Sequence, residues 1–169
     1  DGAFRGCDYL TSVMIPNSVT SIGKRPFSNC ASLTGIWVGA GNDNYSSDAS
    51  GVLFDKGMTA LIQCPGGFSG AYTIPDSVMS ISDSAFFGCS SLTSVAIPNS
   101  VTSIGEFAFW GCRSLTSVAI PDGVTSIEDA AFYECTSLVS VTIPTSVTTI
   151  EGSVWICFFK PDVIKEEFH

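Results

Sequence analysis

The chain has 169 residues, of which 45% are apolar and 14% are charged, with a net charge of −9. Ser and Thr together contribute 39 residues, so hydroxyl side chains stand where an ordinary domain carries roughly 25% charged residues. Only 7 basic residues oppose 16 acidic ones, which excludes the positive surface that nucleic acid or an anionic membrane requires. The one histidine is His169. We therefore predict a non-catalytic chain without metal or cofactor.

The sequence carries little information about where in or outside the cell the protein is located. No apolar stretch approaches the ~18–20 residues of a membrane-spanning helix, so we expect no membrane insertion. The segment from Asp1 to Arg5 lacks the charged and then apolar profile of a signal peptide. It begins within a structural unit, which predicts a fragment or a mature product of a longer protein.

A repeat of 23 residues organises the chain. Ile-Pro pairs recur with this spacing at Ile74-Pro75, Ile97-Pro98, Ile120-Pro121 and Ile143-Pro144. An earlier copy is Ile15-Pro16, and a degenerate copy at Val38-Gly39 is followed by one period plus an insertion of 13 residues. The complete unit reads A-F-x-x-C-x-x-L-x-x-V-x-I-P-x-x-V-x-x-I. Because the same residue types recur at the same positions of successive 23-residue units, the sequence predicts a repeat architecture.

The spacing within the unit predicts its local structure. The V-x-I alternation places two apolar side chains on one face of a short strand. Proline then ends the strand, because it cannot donate to a sheet ladder. The later V-x-x-I supplies a second apolar pair. No single unit can bury its apolar face, so the units stack into a right-handed, parallel solenoid.

This unit resembles the BspA-type (Treponema-like) leucine-rich repeat, over roughly residues 3–155. The resemblance implies a leucine-rich-repeat solenoid of the α/β-type repeat class, with about six turns of short parallel strands. It also implies a secreted or cell-surface module for adhesion or protein recognition, whose partners are host matrix or cell-surface proteins. We place the array at residues 1–157 and a C-terminal cap or tail at 158–169.

The insertion lies in a long repeat at 39–73. Two apolar runs, at 52–54 and 60–62, flank Asp55-Lys56-Gly57. This pattern predicts a β-hairpin, which we expect to project from the stack.

Five of the seven cysteines occupy the same position of the repeat. They are Cys7, Cys30, Cys89, Cys112 and Cys135. We predict a ladder of buried thiols that act as small apolar groups, since parallel Cβ vectors disfavour disulfides; disulfides and metal binding remain the alternatives. Cys64 and Cys157 lie outside this position and are the thiols that we expect to be reactive.

The candidate binding surface is the exposed face of the V-x-I strands. Its small residues are Ser94, Ala96, Ser117, Ala119, Ser140 and Thr142. Met14 and Trp37 occupy the same face and are large and apolar, which is typical of interface anchors. The alternative is that the insertion covers Trp37.

Other functions remain open from the sequence. The repeats could serve as a structural spacer, or the hydroxyl rows and Trp37 could bind carbohydrate. Carboxylates at Asp83, Glu106, Glu128 and Glu151 recur near one repeat position. We interpret them as a solvated rim, with divalent-ion binding as the alternative.

Overall fold

The structure, a computed structural model, describes residues 1–152 and the strand at residues 164–166. Its strands are short and are joined by turns. In chain order they are β1 (Ser12–Ile15), β2 (Gly35–Val38), β3 (Tyr45–Ser47), β4 (Leu53–Asp55), β5 (Ala60–Gln63), β6 (Ser69–Thr73), β7 (Ser80–Ile81), β8 (Ser91–Ala96), β9 (Ser103–Ile104), β10 (Ser117–Ala119), β11 (Ser126–Ile127), β12 (Ser140–Ile143), β13 (Thr149–Ile150) and β14 (Ile164–Glu166).

The repeats after the insertion each contribute one strand to each of two sides of the stack, whereas the first repeat contributes only β1. The first side contains the pairs β1–β2 and β6–β8 and the triplet β10–β12–β14. The second side contains β5–β7–β9 and β11–β13. All these strands pair in parallel. In the regular repeats the register joins residues 23 apart, as for Val13 with Ile36 and Val118 with Val141. Next to the insertion the spacing is shorter, as for Leu61 with Ile81. The predicted solenoid of about six turns is confirmed.

The A-F pair of each repeat builds the centre of the core. Phe86, Phe109 and Phe132 are fully buried. Their rings stack in parallel, with centroids 4.8 Å apart for the first pair and 5.2 Å apart for the second. The alanine before each phenylalanine is also buried, because only a small side chain fits beside these rings. One identical side chain in each of these three successive repeats therefore produces a continuous apolar stack.

The insertion forms the predicted hairpin, but it does not project from the stack. Strands β3, β4 and β5 are antiparallel, and β5 then pairs in parallel with β7. Leu53 packs into an apolar cluster with the first two repeats, whereas Val52 and Phe54 pack into the cluster of the later repeats. Because both faces of β4 are apolar and buried, the hairpin lies inside the stack. The expectation that it projects is therefore wrong.

The C-terminal side is described only in part. Strand β14 pairs with β12, again at a spacing of 23 residues, as Val141 does with Ile164. Cys157 lies outside the described residues, and so does the predicted cap or tail at 158–169 apart from the strand β14.

Candidate functional site

The candidate site is centred on Met14 and Trp37, which lie side by side on the first side of the stack. They are register partners in the parallel pair β1–β2. The alternation of the strand turns Ile15 and Ile36 into the core and leaves Met14 and Trp37 outside. Met14 is 65% exposed and Trp37 is 38% exposed. Together they form a continuous apolar surface on an otherwise small and polar face.

Gly35 makes room for the indole of Trp37. A methyl group at position 35 would lie 2.7 Å from Nε1 and Cε2 of Trp37, so the ring lies directly over the backbone of Gly35. Serine occupies the matching position in β10 and β12, where no large side chain has to be accommodated. The Gly-x-Trp pair thus fixes the orientation of the tryptophan.

The insertion supports the edge of this site. On that edge, the Ile36 N–H donates to the carbonyl oxygen of Gly51 at 2.9 Å, and the Val38 N–H donates to Ser47 Oγ at 3.1 Å. Strand β2 therefore pairs with β1 and not with β6. Trp37 consequently lies where the regular sheet is interrupted, and it retains exposed surface beside the insertion.

The small residues of the candidate surface lie in rows on the later strands. Ala96, Ser117, Ala119 and Thr142 are exposed, whereas Ser94 and Ser140 are half-buried. Ser117 is the register partner of Ser140, and Ala119 is the partner of Thr142. These rows are flat and uncharged and offer few distinguishing contacts.

A second aromatic surface was missed by the sequence reasoning. Phe87, Trp110 and Tyr133 follow the A-F pair in three successive repeats, and we call them the aromatic ladder. All three are partly exposed. Trp110 stacks on Phe87 at 5.7 Å and on Tyr133 at 4.1 Å between ring centroids. The signal was present, since these three aromatic residues are 23 residues apart.

The carboxylates near the A-F turns contact basic side chains of the second repeat. Lys24 Nζ lies 3.1 Å from Asp83 Oδ2, and an Arg25 guanidinium nitrogen lies 3.7 Å from Glu106 Oε2. The Arg25 guanidinium also lies 4.5 Å from the ring centroid of Phe107. Among the described residues, no group of three His, Cys, Asp or Glu side chains could hold a metal ion.

The recurrent cysteines donate hydrogen bonds between repeats. The Sγ atoms of Cys30, Cys112 and Cys135 lie 2.9, 3.2 and 3.1 Å from the carbonyl oxygen of the core phenylalanine one repeat earlier. Cys89 makes the corresponding bond to Pro65, at 3.5 Å. These four thiols are buried. A small donor at this position therefore links each A-F turn to its neighbour.

Two expectations about the cysteines are wrong. Cys7 shares the repeat position but is exposed, because none of the described coils packs over it. Cys64 is fully buried in the large core cluster, since the hairpin that carries it lies inside the stack. Burial raises the pKa of the Cys64 and Cys112 thiols well above the usual value, which disfavours the reactive thiolate.

Native alkylation should distinguish these thiols. With iodoacetamide at about pH 8, we expect rapid modification of Cys7 and none of Cys64 or Cys112, because only Cys7 is exposed. Burial also keeps the two core thiols protonated as the pH rises to about 9. Peptide mapping by mass spectrometry locates the label, and unfolding in denaturant should make all three react. Equal labelling rates for Cys7 and Cys64 in the native chain would contradict this placement.

The stacked coils of short parallel strands define a solenoid repeat protein. A family model for the BspA type leucine rich repeat region matches residues 1–49 and 70–160, in 6 copies. The chain belongs to this family, whose repeats are protein-interaction modules. Within the described residues, no helix has the length and apolar character needed to cross a membrane.

Three solved bacterial structures show the same architecture. The pneumococcal vaccine antigen PcpA is 29% identical, with a TM-score of 0.80 over 83% of this chain and 35% of its own. A leucine-rich repeat protein of Eubacterium ventriosum is 28% identical, with a TM-score of 0.74 over 83% of this chain and 41% of its own. A leucine rich cell surface protein of Faecalibacterium prausnitzii is 34% identical, with a TM-score of 0.65 over 85% of this chain and 48% of its own.

The chain thus spans less than half the length of these three proteins. A search of curated protein sequences found no match.

Proposed function

We propose that the chain is a non-catalytic recognition module of a secreted or cell-surface protein, which binds host matrix or cell-surface proteins through the first side of the solenoid. The observation that carries this proposal is the exposed pair Met14 and Trp37 at the interruption of the sheet. Large apolar side chains at the centre of a polar surface are the usual anchors of protein interfaces. The small residues on the later strands of the same side leave that part of the surface flat, so that a partner can extend along it.

Two similarities support the proposed location. The related protein of Faecalibacterium prausnitzii is described as a cell surface protein, and the pneumococcal relative as a vaccine antigen. An antigen used for vaccination has to be accessible to antibodies, which fits an exposed protein. We extend this location to the present chain as part of the proposal.

Carbohydrate binding is the second candidate, and one observation favours it. The indole of Trp37 lies over Gly35 and keeps 38% of its surface exposed, an arrangement on which a sugar ring could stack. The neighbouring Ser and Thr hydroxyl groups would then supply hydrogen bonds. Protein binding is preferred because Met14 extends the apolar surface without adding polar groups.

The experiment measures binding of the chain to a panel of purified extracellular-matrix proteins by surface plasmon resonance. We expect saturable binding to at least one of them, and about tenfold or greater weakening in Trp37→Ala, because loss of an interface anchor typically has an effect of this size. Thr125→Ala is the matched control, since Thr125 is exposed but lies away from the site.

Oligosaccharides are tested in parallel by the change in tryptophan fluorescence. A fluorescence response to sugars with no protein binding would favour the carbohydrate candidate and contradict the proposal. Absence of binding in both assays would favour a structural spacer and would also contradict it.

A further inference from the structure

The aromatic ladder is a second surface that the solenoid itself does not require. The core stack of Phe86, Phe109 and Phe132 runs beside it and is already continuous. In the first two repeats, the residues at the ladder position are Arg5 and Ser28. The repeat therefore folds without an aromatic residue at this position, and the three rings are a local feature of the later repeats.

Phe107 adds a fourth ring to this surface at a cost in backbone energy. Its φ is +58°, a conformation that is unfavourable for a bulky side chain and favourable for glycine. The matching residues of the other repeats are also in this region, with φ values of +62°, +55°, +59° and +51° for Gly2, Arg25, Ser84 and Ala130, so the conformation belongs to the repeat. The Phe107 ring lies 5.4 Å from that of Trp110, at 45°.

The geometry of the rings restricts what they can contact. The faces of Trp110 are stacked on Phe87 and Tyr133, so Trp110 itself presents a ring edge and not an open face. In the described part of the chain, no hydrogen bond is made by the indole N–H of Trp110 or by the hydroxyl of Tyr133. This arrangement suits the aliphatic stem and carbonyl groups of a peptide better than a stacked sugar, which needs a free ring face.

Charge near the ladder favours a basic partner. Glu106 directly precedes Phe107, and Glu128 lies five residues before Tyr133 in the same turn region. Glu128 accepts a hydrogen bond from Ser126 Oγ at 2.7 Å, and no Lys or Arg pairs with it among the described residues. With a net charge of −9, the chain as a whole attracts positively charged segments.

Arg25 shows how this surface holds an arginine. Its guanidinium lies 4.5 Å from the centre of the Phe107 ring and 3.7 Å from Glu106 Oε2. Arg113 makes a similar contact with Glu134, at 2.8 Å, beside Tyr133. Because exposed ion pairs of this kind are weak, an arginine of another protein can compete with Arg25 and Arg113 for the same carboxylates.

We propose that the aromatic ladder, with Phe107 and the flanking carboxylates, binds an arginine-bearing basic segment of a partner protein. The arginine stems pack on the ring edges, and their guanidinium groups pair with the carboxylates. This surface is separate from Met14 and Trp37 and uses none of their contacts.

The test is fluorescence anisotropy of the full chain with a labelled synthetic peptide in which arginine alternates with leucine and serine. A glutamate peptide of the same pattern is the charge control. We expect the arginine peptide to bind at least about tenfold more tightly than the glutamate peptide, and to weaken when salt is raised to about 0.5 M. Equal binding of the two peptides would overturn the proposal.

Variants locate the binding. Trp110→Ser and Tyr133→Ser place at the ladder the residue type that Ser28 already contributes at this position, and circular dichroism checks that they fold. Each should weaken binding of the arginine peptide about fivefold, as expected for the loss of an apolar contact with an arginine stem. Trp37→Ala should leave it unchanged.

The remaining outcomes would overturn the proposal. One is salt-dependent binding that the ladder variants do not alter, which would show attraction to the acidic chain alone. Another is loss of peptide binding in Trp37→Ala only. A third is binding of neutral oligosaccharides at the ladder without peptide binding. Because Trp37 serves as the unaffected control here, failure of this proposal is distinguishable from failure of the proposed function.

Discussion

Replacement of Phe86 by alanine is expected to lower the free energy of unfolding by about 3–5 kcal/mol. Phe86 is fully buried, and its ring stacks 4.8 Å from Phe109 and lies 6.1 Å from Tyr72. Neighbouring repeats hold their rings in fixed positions, so the stack cannot collapse to fill the cavity. Urea-induced unfolding, followed by circular dichroism, measures the change.

Phe87→Ala is the matched control, because the same side chain is removed one position further along. Phe87 is only partly buried and contacts Trp110 through a stacked pair at 5.7 Å. Loss of that contact should cost about 1 kcal/mol. If the two variants were equally stable, or if Phe87→Ala were the less stable, the assignment of Phe86 to the core stack would be wrong.

Asn42→Ala is expected to destabilise the chain by about 3 kcal/mol or more, because it removes four hydrogen bonds between a fully buried amide and partly buried backbone groups. Asn42 is fully buried. Its Nδ2 donates to the carbonyl oxygens of Pro16 and Val19, at 2.9 and 3.0 Å. Its Oδ1 accepts from the backbone N–H groups of Asn44 and Tyr45, at 2.8 and 2.9 Å. One amide thus joins the first repeat to the start of the insertion.

The effect of Asn42→Ala should also be local. The apolar core is divided into two clusters at the insertion, and a solenoid is stabilised by contacts between neighbouring units. Hydrogen exchange should therefore accelerate in β1 and β2 more than in β8 and β10. Asn44→Ala is the control, because Asn44 is exposed and should change stability by less than about 0.5 kcal/mol. An equal acceleration of hydrogen exchange in all these strands would contradict the division of the core into two clusters.

The regular part of the fold could be predicted because the same 23-residue sequence pattern occurs in several units. A single 23-residue spacing determines the strand register, as the pairing of Val13 with Ile36 and of Val118 with Val141 shows. The same spacing predicts the core phenylalanines. Each prediction rests on several copies, so one degenerate copy at Val38-Gly39 does not disturb it.

The irregular part could be predicted only in part. Val52, Leu53 and Phe54 are consecutive apolar residues, a pattern that is typical of a strand buried on both faces. The interpretation of these residues as one arm of a projecting hairpin placed β4 outside the stack. It also placed Cys64 outside the core. The position of Cys7 could not be predicted from the repeat, because the pattern is the same whether or not another coil packs over it.

The candidate sites differ in how clearly the sequence signals them. Met14 and Trp37 stand out because they break a row of small residues. The aromatic ladder is part of the periodic pattern, yet it occupies a position that the repeat leaves variable. The contact of Arg25 with Phe107 depends on which repeats lie side by side around the insertion, and this could be learned only from the structure.

The central claim is that the interrupted sheet at Met14 and Trp37 recognises a protein. Its most direct test is the ratio of the dissociation constants of Trp37→Ala and the unaltered chain for the same matrix protein, with Thr125→Ala measured alongside. We predict a ratio of about ten or more for Trp37→Ala and of about one for Thr125→Ala. Saturable binding that is equally strong in the unaltered chain and in Trp37→Ala would contradict the claim.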